Sequence, residues 1–461
     1  MPAFLRSKNM RGRVDTAAIP VAAGTGYRTL DIAGVLQYVE NVPDLRRRVG
    51  FGEGHEAFDS ARLKVDEVGD GNLNLVFIVE GPGGVIVIKQ ALPYVRCVGE
   101  SWPLALERNH FEQSALSLER NWCPEHVPEV FLFDKRMYLF AMEFIPPPHL
   151  ILRKYFVGGR KAEMIDDHLS TFLANTLYKS SALALKGSAF RLQVSAWSKN
   201  TGLCGLTEQV IFSDPYTTSP MNHWNTPLLD DYANGIRGDN ELKVCIFALK
   251  AKFLGSAEAL LHGDLHSGSI MVTDSSTLVI DPEFAFYGPM GFDSGLLLAN
   301  MLFAYFCQPG HANSADYPGW VLAKTESLFD SFERKFLELW AADTVTSCGE
   351  LHQASFPETS SGHCSELRAE YMRNLWKDTI GFAAAEMIRR IVGIAHVADL
   401  DSIADIEVRA RCEKKVLVLA RQMMVASAAT CVLPESLRSP AALAALARKV
   451  GAEEPPIQWP H

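Results

Sequence analysis

The stretch His262-Gly263-Asp264-Leu265-His266-Ser267-Gly268-Ser269 follows an apolar run that reads as a long helix, Glu241–Leu261, and precedes a short β-rich segment. Transfer of a phosphoryl group to a hydroxyl needs a carboxylate at the attacking oxygen, to orient it and take its proton. A rigid loop beside a strand suits that task, and Asp264 is the candidate. Two other readings compete at this point. The loop is also an ordinary polar connection with a capping aspartate, and His262, Asp264 and His266 alternate as metal ligands can.

Moving toward the C-terminus, two short strands (MVT and TLVID) flank Asp274-Ser275-Ser276, and the second ends at Asp281-Pro282-Glu283. The interval from Asp264 to Asp281 is 281 − 264 = 17 residues, enough for one tight hairpin. Both carboxylates can therefore face one site. ATP chemistry calls for magnesium, which prefers oxygen ligands. Asp281 is the expected ligand and Glu283 a second, against the plainer reading of Asp281 as a strand-end cap.

Moving toward the N-terminus, Asn74–Glu80 and Val85–Lys89 read as an antiparallel hairpin around Gly81-Pro82-Gly83-Gly84. Gly69-Asp70-Gly71-Asn72-Leu73-Asn74 precedes it, a small-residue turn through which backbone amides can approach phosphate oxygens. Lys89 ends an apolar strand, where a lysine is costly to bury unless paired. A phosphate and a helix carboxylate would pair it, and Glu107 and Glu112 compete for the second role; a lysine snorkelling to the surface is the alternative. Pro103–Arg120 reads as a helix, 131–133 and 138–144 as strands, and Thr29–Asn41 as a short helix capped by Thr29 or Asp31. Pro146-Pro147-Pro148 breaks the chain there. Beyond it, helices are expected over Met164–Leu185, Gly291–Phe306, Ala323–Leu339, Glu366–His396 and Ile406–Ala429. The implied class is α+β, a two-lobed protein-kinase-like fold. Residues 1–28 form a disordered extension, 29–145 a small β-rich nucleotide-binding N-lobe, and 146–461 a large, mainly helical C-lobe for catalysis and substrate.

Composition narrows the function classes. The 461 residues exceed the size of one core and favour two lobes. A net charge of −10 argues against a nucleic-acid partner. Nine cysteines without a C-x-x-C pair argue against a disulfide framework or zinc site and fit a reducing compartment. The most apolar run, Leu296–Cys307, is too short to cross a bilayer and contains Asn300, so no membrane partner is expected. The basic N-terminus lacks a signal-peptide core; a transit-like reading competes with that of a floppy extension.

Six phrases together resemble the 5-methylthioribose kinase family: Asp70–Asn74, the long KQALPYVRCVGESWP run of Lys89–Pro103, His262–Ser269, Asp281–Glu283, Gly288–Gly295 and Arg389–Asp399. The resemblance covers about residues 68–403, and the HGDLH loop alone is shared with aminoglycoside and choline kinases. It implies ATP-dependent phosphorylation of the anomeric hydroxyl of 5-methylthioribose in methionine salvage, with magnesium, by a cytosolic homodimer. It implies Asp264 as catalytic residue and Asp281 and Glu283 as the magnesium motif, with Pro282 between them. It implies Lys89, Asn72 and Asn74 at the phosphates and Glu112 rather than Glu107 as the helix glutamate. Glu143, Phe144 and Ile145 correspond to the hinge that reads adenine, and Arg389 and Arg390 to the arginine pair that holds the sugar. Adjacent arginines point apart on a helix, so one of them alternatively serves a surface salt bridge. Asp293 is expected to brace the catalytic loop. Ser269 stands where many relatives of the fold carry a magnesium-binding asparagine, an oxygen that Glu283 can replace. A kinase of choline or an aminoglycoside, or an inactive nucleotide-binding scaffold, are the alternative functions.

Overall fold

A computed structural model describes residues 26–52, 58–69, 73–96, 99–343, 349–351, 361–429 and 432–460. The Asp70-Gly71-Asn72 turn and most of the N-terminal extension lie outside the described residues. The chain forms two compact units, one of residues 1–110 with 131–142 and the other of 111–130 with 143–461. It passes between them three times, so a single cut after residue 145 lies near the last crossing only.

In the smaller unit, the alternation of Leu75, Phe77 and Val79 against Ile86 and Ile88 builds the expected hairpin, Asn74–Gly81 with Gly84–Ala91. It sits inside a five-stranded sheet ordered Lys64–Glu67, Asn74–Gly81, Gly84–Ala91, Leu139–Glu143, Val130–Asp134. The helix Ile32–Asn41 is capped by Asp31, whose carboxylate accepts from Gly34 N at 2.7 Å, and it buries Val35 and Val39 in the same core. Gln90, fully buried, is satisfied at both ends of its amide: it accepts from Leu30 N at 2.9 Å and donates to Arg28 O and Met137 O.

The helix expected from Pro103 begins at Arg108 instead, and Gly99–Pro103 is a strand paired with Tyr94–Val95. A proline disfavours helical backbone in the residue before it, here Trp102, which keeps the Trp102-Pro103 step extended.

The larger unit is mainly helical. Its centre is Gly291–Phe306, of which every residue but Tyr305 is buried. Gly291 and Gly295 lie one turn apart against the long helix Ser361–Val392. A Cβ on them would meet Asp378 Cβ at 2.4 Å and Ala383 N at 2.8 Å, so only glycine permits this backbone approach. The expected helix Glu241–Leu261 is corrected. The helix is Asn240–Gly255, and Ala259–Leu261 is a strand antiparallel to Phe286–Gly288. Gly255 and Ser256 end the helix, and the strand pairing takes up the backbone groups that follow. The loop at 262–269 thus leaves a strand. The next hairpin pairs Ile270–Val272 with Thr277–Val279, in line with the two short strands expected on either side of Asp274-Ser275-Ser276. Helices Gly187–Trp197, Thr201–Val210, Asp230–Gly238 and Pro440–Ala452 were not legible in the sequence pattern. The α+β class stands: a small β-rich unit and a large, mainly helical one. Among the described residues no helix is long and apolar enough to cross a membrane.

Candidate active site

The larger unit by itself brings together most of the chemistry-bearing residues. Gly263 stands at φ +81, where an added Cβ would lie 2.2 Å from Phe284 O. No side chain fits, and the left-handed backbone suits glycine. Gly263→Ala is therefore expected to displace the loop and lower turnover by about tenfold or more; steady-state kinetics beside a melting curve check it.

Asp293 braces the loop from the central helix. Its carboxylate accepts from His262 N at 2.6 Å and Gly263 N at 2.9 Å, and it is 2% exposed. Burial pushes its pKa up to about 6, against the pull of His262 and the two amides. His262 is a structural member: its Nε2 donates to Ile280 O at 2.9 Å, and its Nδ1 accepts from Asp264 N at 3.2 Å. With both ring nitrogens engaged in the fold, the metal-site reading of His262, Asp264 and His266 loses a ligand.

Asp264 faces His266 Nε2 at 3.4 Å through Oδ2 and Arg390 Nη2 at 3.7 Å through Oδ1. Gly268 N donates to His266 Nδ1 at 2.9 Å, which leaves the proton of a neutral ring on Nε2, toward Asp264. Burial holds the His266 pKa low, with Arg390 and Arg153 adding and Asp264 opposing. Burial also works against the charge on Asp264, but His266, Arg390 and Arg389 outweigh it and hold the carboxyl well below the usual range. Asp264 is ionised at neutral pH, as an acceptor for a hydroxyl proton must be.

Asp281 stands at φ +72, a region that aspartate tolerates better than most residues. From there one oxygen each of Asp281, Glu283 and Glu112 lie within 4.8 Å of one another. Three hard oxygen donors so placed fit a divalent cation such as magnesium. The structure thus gathers Glu112, expected as a partner of Lys89, with the two carboxylates of the Asp-Pro-Glu turn. Glu107 accepts from Tyr138 OH at 3.3 Å in the smaller unit. Ser269, 4% exposed, turns its hydroxyl to His266 Nδ1 at 3.3 Å.

Arg389 and Arg390 are each 6% exposed, so neither serves a surface salt bridge. Both Nε groups reach Glu386, at 3.0 and 2.5 Å. Burial first, then Arg390, pushes Arg389 down to about 10, which leaves it charged at neutral pH. A further arginine, the half-buried Arg153, pairs with Asp399 at 3.0 Å and donates to Ser267 Oγ and Asn300 Oδ1, each at 3.1 Å. Asn300, the polar interruption of the apolar run, also accepts from Ser267 Oγ at 2.9 Å and so ties the loop to the central helix. Glu386, Arg153 and the role of His266 were missed by sequence reasoning. Only Glu386 carried a signal, its spacing three and four residues before the arginines.

Glu119, on the helix Arg108–Trp122, is a further buried carboxylate at 2% exposure, and its Oε2 makes no hydrogen bond among the described residues. Burial, then Asp293, raises its pKa well above the ordinary value. A raised carboxyl pKa means the folded chain binds the proton more tightly, so this residue costs stability as pH rises above about 4.3. Glu119→Gln is expected to melt about 2–4 °C higher than wild type at pH 8, with the gain shrinking as pH falls toward about 4.3.

In the smaller unit, Lys89 is 8% exposed, with its carbonyl accepting from Asn109 Nδ2 at 3.5 Å. Asn74 is 2% exposed and its side-chain oxygen accepts from Arg108 Nη2 at 2.8 Å, so that oxygen already serves the fold. Asn72 lies outside the described residues. In the larger unit, Glu143 N donates to Glu129 O at 2.8 Å and the Glu143 carboxylate accepts from Glu129 N at 3.0 Å. Phe144 is half-buried, and Ile145 and Pro282 are buried.

Comparison with known proteins adds to this geometry. The profile of the phosphotransferase enzyme family matches residues 100–321. Methylthioribose kinase 1 of Oryza sativa subsp. japonica is 46% identical over 403 residues, covering 87% of this chain and 92% of the rice protein. Methylthioribose kinase of Escherichia coli O45:K1 is 42% identical over 367 residues, covering 78% of this chain and 87% of that protein. Among solved structures, choline kinase from Cryptosporidium parvum aligns with a TM-score of 0.42 at 11% identity, covering 85% of this chain and 96% of that one.

Proposed function

Because the chain belongs to the methylthioribose kinase family, we propose that it transfers the terminal phosphoryl group of ATP to the anomeric hydroxyl of 5-methylthioribose, as a step of methionine salvage. It is a phosphotransferase that acts on methylthioribose, and ATP is the donor its family uses. The observation that supports the chemistry best is the ionised Asp264 beside the arginine pair, in the same unit as the Asp281–Glu283–Glu112 cluster.

In this reading Asp264 accepts the hydrogen bond of the sugar hydroxyl, aims its oxygen for in-line attack, and takes the proton as the new O–P bond forms and the bond from the γ-phosphorus to the β–γ bridging oxygen breaks, releasing ADP. Arg389 and Arg390 bind the sugar's hydroxyls. We assign Lys89, Asn72 and Asn74 to the phosphates of ATP and the backbone of Glu143, Phe144 and Ile145 to adenine. Asp281 and Glu283, with Glu112 beside them, would hold magnesium, which neutralises phosphate oxygens when bound. The homodimer and the cytoplasmic setting are part of the same proposal and rest on family resemblance.

A cationic acceptor such as choline would have to lie beside two buried arginines, so the geometry disfavours it. One ADP-release assay with 5-methylthioribose, ribose and choline side by side tests the reading. Turnover of 5-methylthioribose well above the other two supports it; choline or ribose turning over equally well contradicts it.

A further inference from the structure

Glu386 takes no part in the steps above, and neither composition nor resemblance assigned it a role. It lies on the helix Ser361–Val392, one turn before Arg389 and Arg390, and is fully buried. A buried carboxylate is costly unless it is paired. This one is paired twice: Oε2 accepts from Arg389 Nε at 3.0 Å and Oε1 from Arg390 Nε at 2.5 Å. The Nη1 group of Arg390 donates to Ala395 O at 2.8 Å, and Ala395 stands at φ +61. Only Nη2 points at Asp264, and it stops 3.7 Å from Oδ1.

That last distance is informative. A guanidinium free to approach a carboxylate closes to about 2.7–2.9 Å, often through two parallel bonds. Arg390 does not close on Asp264 because its Nε edge is committed to Glu386 and its Nη1 to Ala395. If it did close, Asp264 would carry charge-assisted bonds to the arginine and be a weaker acceptor for a hydroxyl proton. We propose that Glu386 is the positioning residue of the sugar site. It anchors both arginines by their Nε edges, fixes where their Nη groups point, and keeps Asp264 available for the hydroxyl proton. The proposal rests on the reading that Asp264 and the arginine pair receive the sugar.

The test is a set of steady-state constants for 5-methylthioribose and for ATP in Glu386→Gln, Glu386→Asp, Arg389→Gln and Arg390→Gln. Glutamine keeps an acceptor but no charge. Its expected effect is a KM for the sugar raised about tenfold and a kcat lowered about tenfold, with the KM for ATP within about twofold of wild type. Aspartate keeps the buried charge and is one methylene too short to reach both Nε groups. It is expected to fold and to fall between wild type and the glutamine variant, and it carries the test if the glutamine variant does not fold. Glu386 variants within about threefold of wild type, or KM values for sugar and ATP rising together, overturn the positioning role. If the arginine variants raise the sugar KM and the Glu386 variants do not, the positioning role falls and the sugar assignment stands. If the arginine variants leave the sugar KM unchanged, the sugar assignment falls, and the role of Glu386 with it.

Discussion

Asp264→Asn is expected to lower turnover of 5-methylthioribose by about 10²–10⁴-fold while ATP binding stays near the wild-type value. The amide has the size of the carboxylate, so Gly263, His262 and the Asp293 brace keep their places. What is lost is the proton acceptor, and with it the charge that His266 and Arg390 face at 3.4 and 3.7 Å. Turnover measured by ADP release, with nucleotide affinity measured by calorimetry on the same preparation, separates chemistry from folding. A variant that keeps near-normal turnover removes Asp264 from the mechanism.

Asp281→Asn has the second large expected effect. Asparagine tolerates the left-handed backbone at φ +72 as aspartate does, so the turn survives the change. The three-oxygen cluster with Glu112 and Glu283 then loses one of its charges. ADP binding is expected to be tighter with magnesium than without it in the wild type, and to lose that difference in the variant. Turnover falls about 10²-fold or more alongside. Calorimetric titration with and without magnesium reads this without relying on turnover. A variant whose ADP affinity still depends on magnesium as in the wild type contradicts the assignment.

Much of this site could be read from local pattern. The hairpin of Asn74–Gly81 and Gly84–Ala91 follows from two β-rich runs around Gly81-Pro82-Gly83-Gly84, and Asp264 and Asp281 from their spacing across one small hairpin. Asn300 was visible as a polar residue in an otherwise apolar run and Asp293 through the family resemblance, and the structure shows what each one holds. The misread parts depend on contacts distant in sequence. The strand Ala259–Leu261 looks like the end of a helix until Phe286–Gly288 pairs with it. Arg153 lies more than a hundred residues before Ser267 and Asn300, its partners at 3.1 Å, and nothing local marks it. Glu107 lies on the apolar stripe of its helix and Glu112 beside it, so pattern alone did not single out Glu112, and only the folded chain gathers it with Asp281 and Glu283. The burial of both arginines was hidden because adjacent helix positions point apart, and it takes Glu386, shared between them, to turn both inward.

The phosphorus NMR spectrum of the product formed from ATP and 5-methylthioribose tests the whole account most directly. A new phosphate ester coupled to the anomeric proton, absent when Asp264 is replaced by asparagine, is the predicted result. A phosphate on another ring oxygen, or ATP consumption with no sugar phosphate formed, would contradict it.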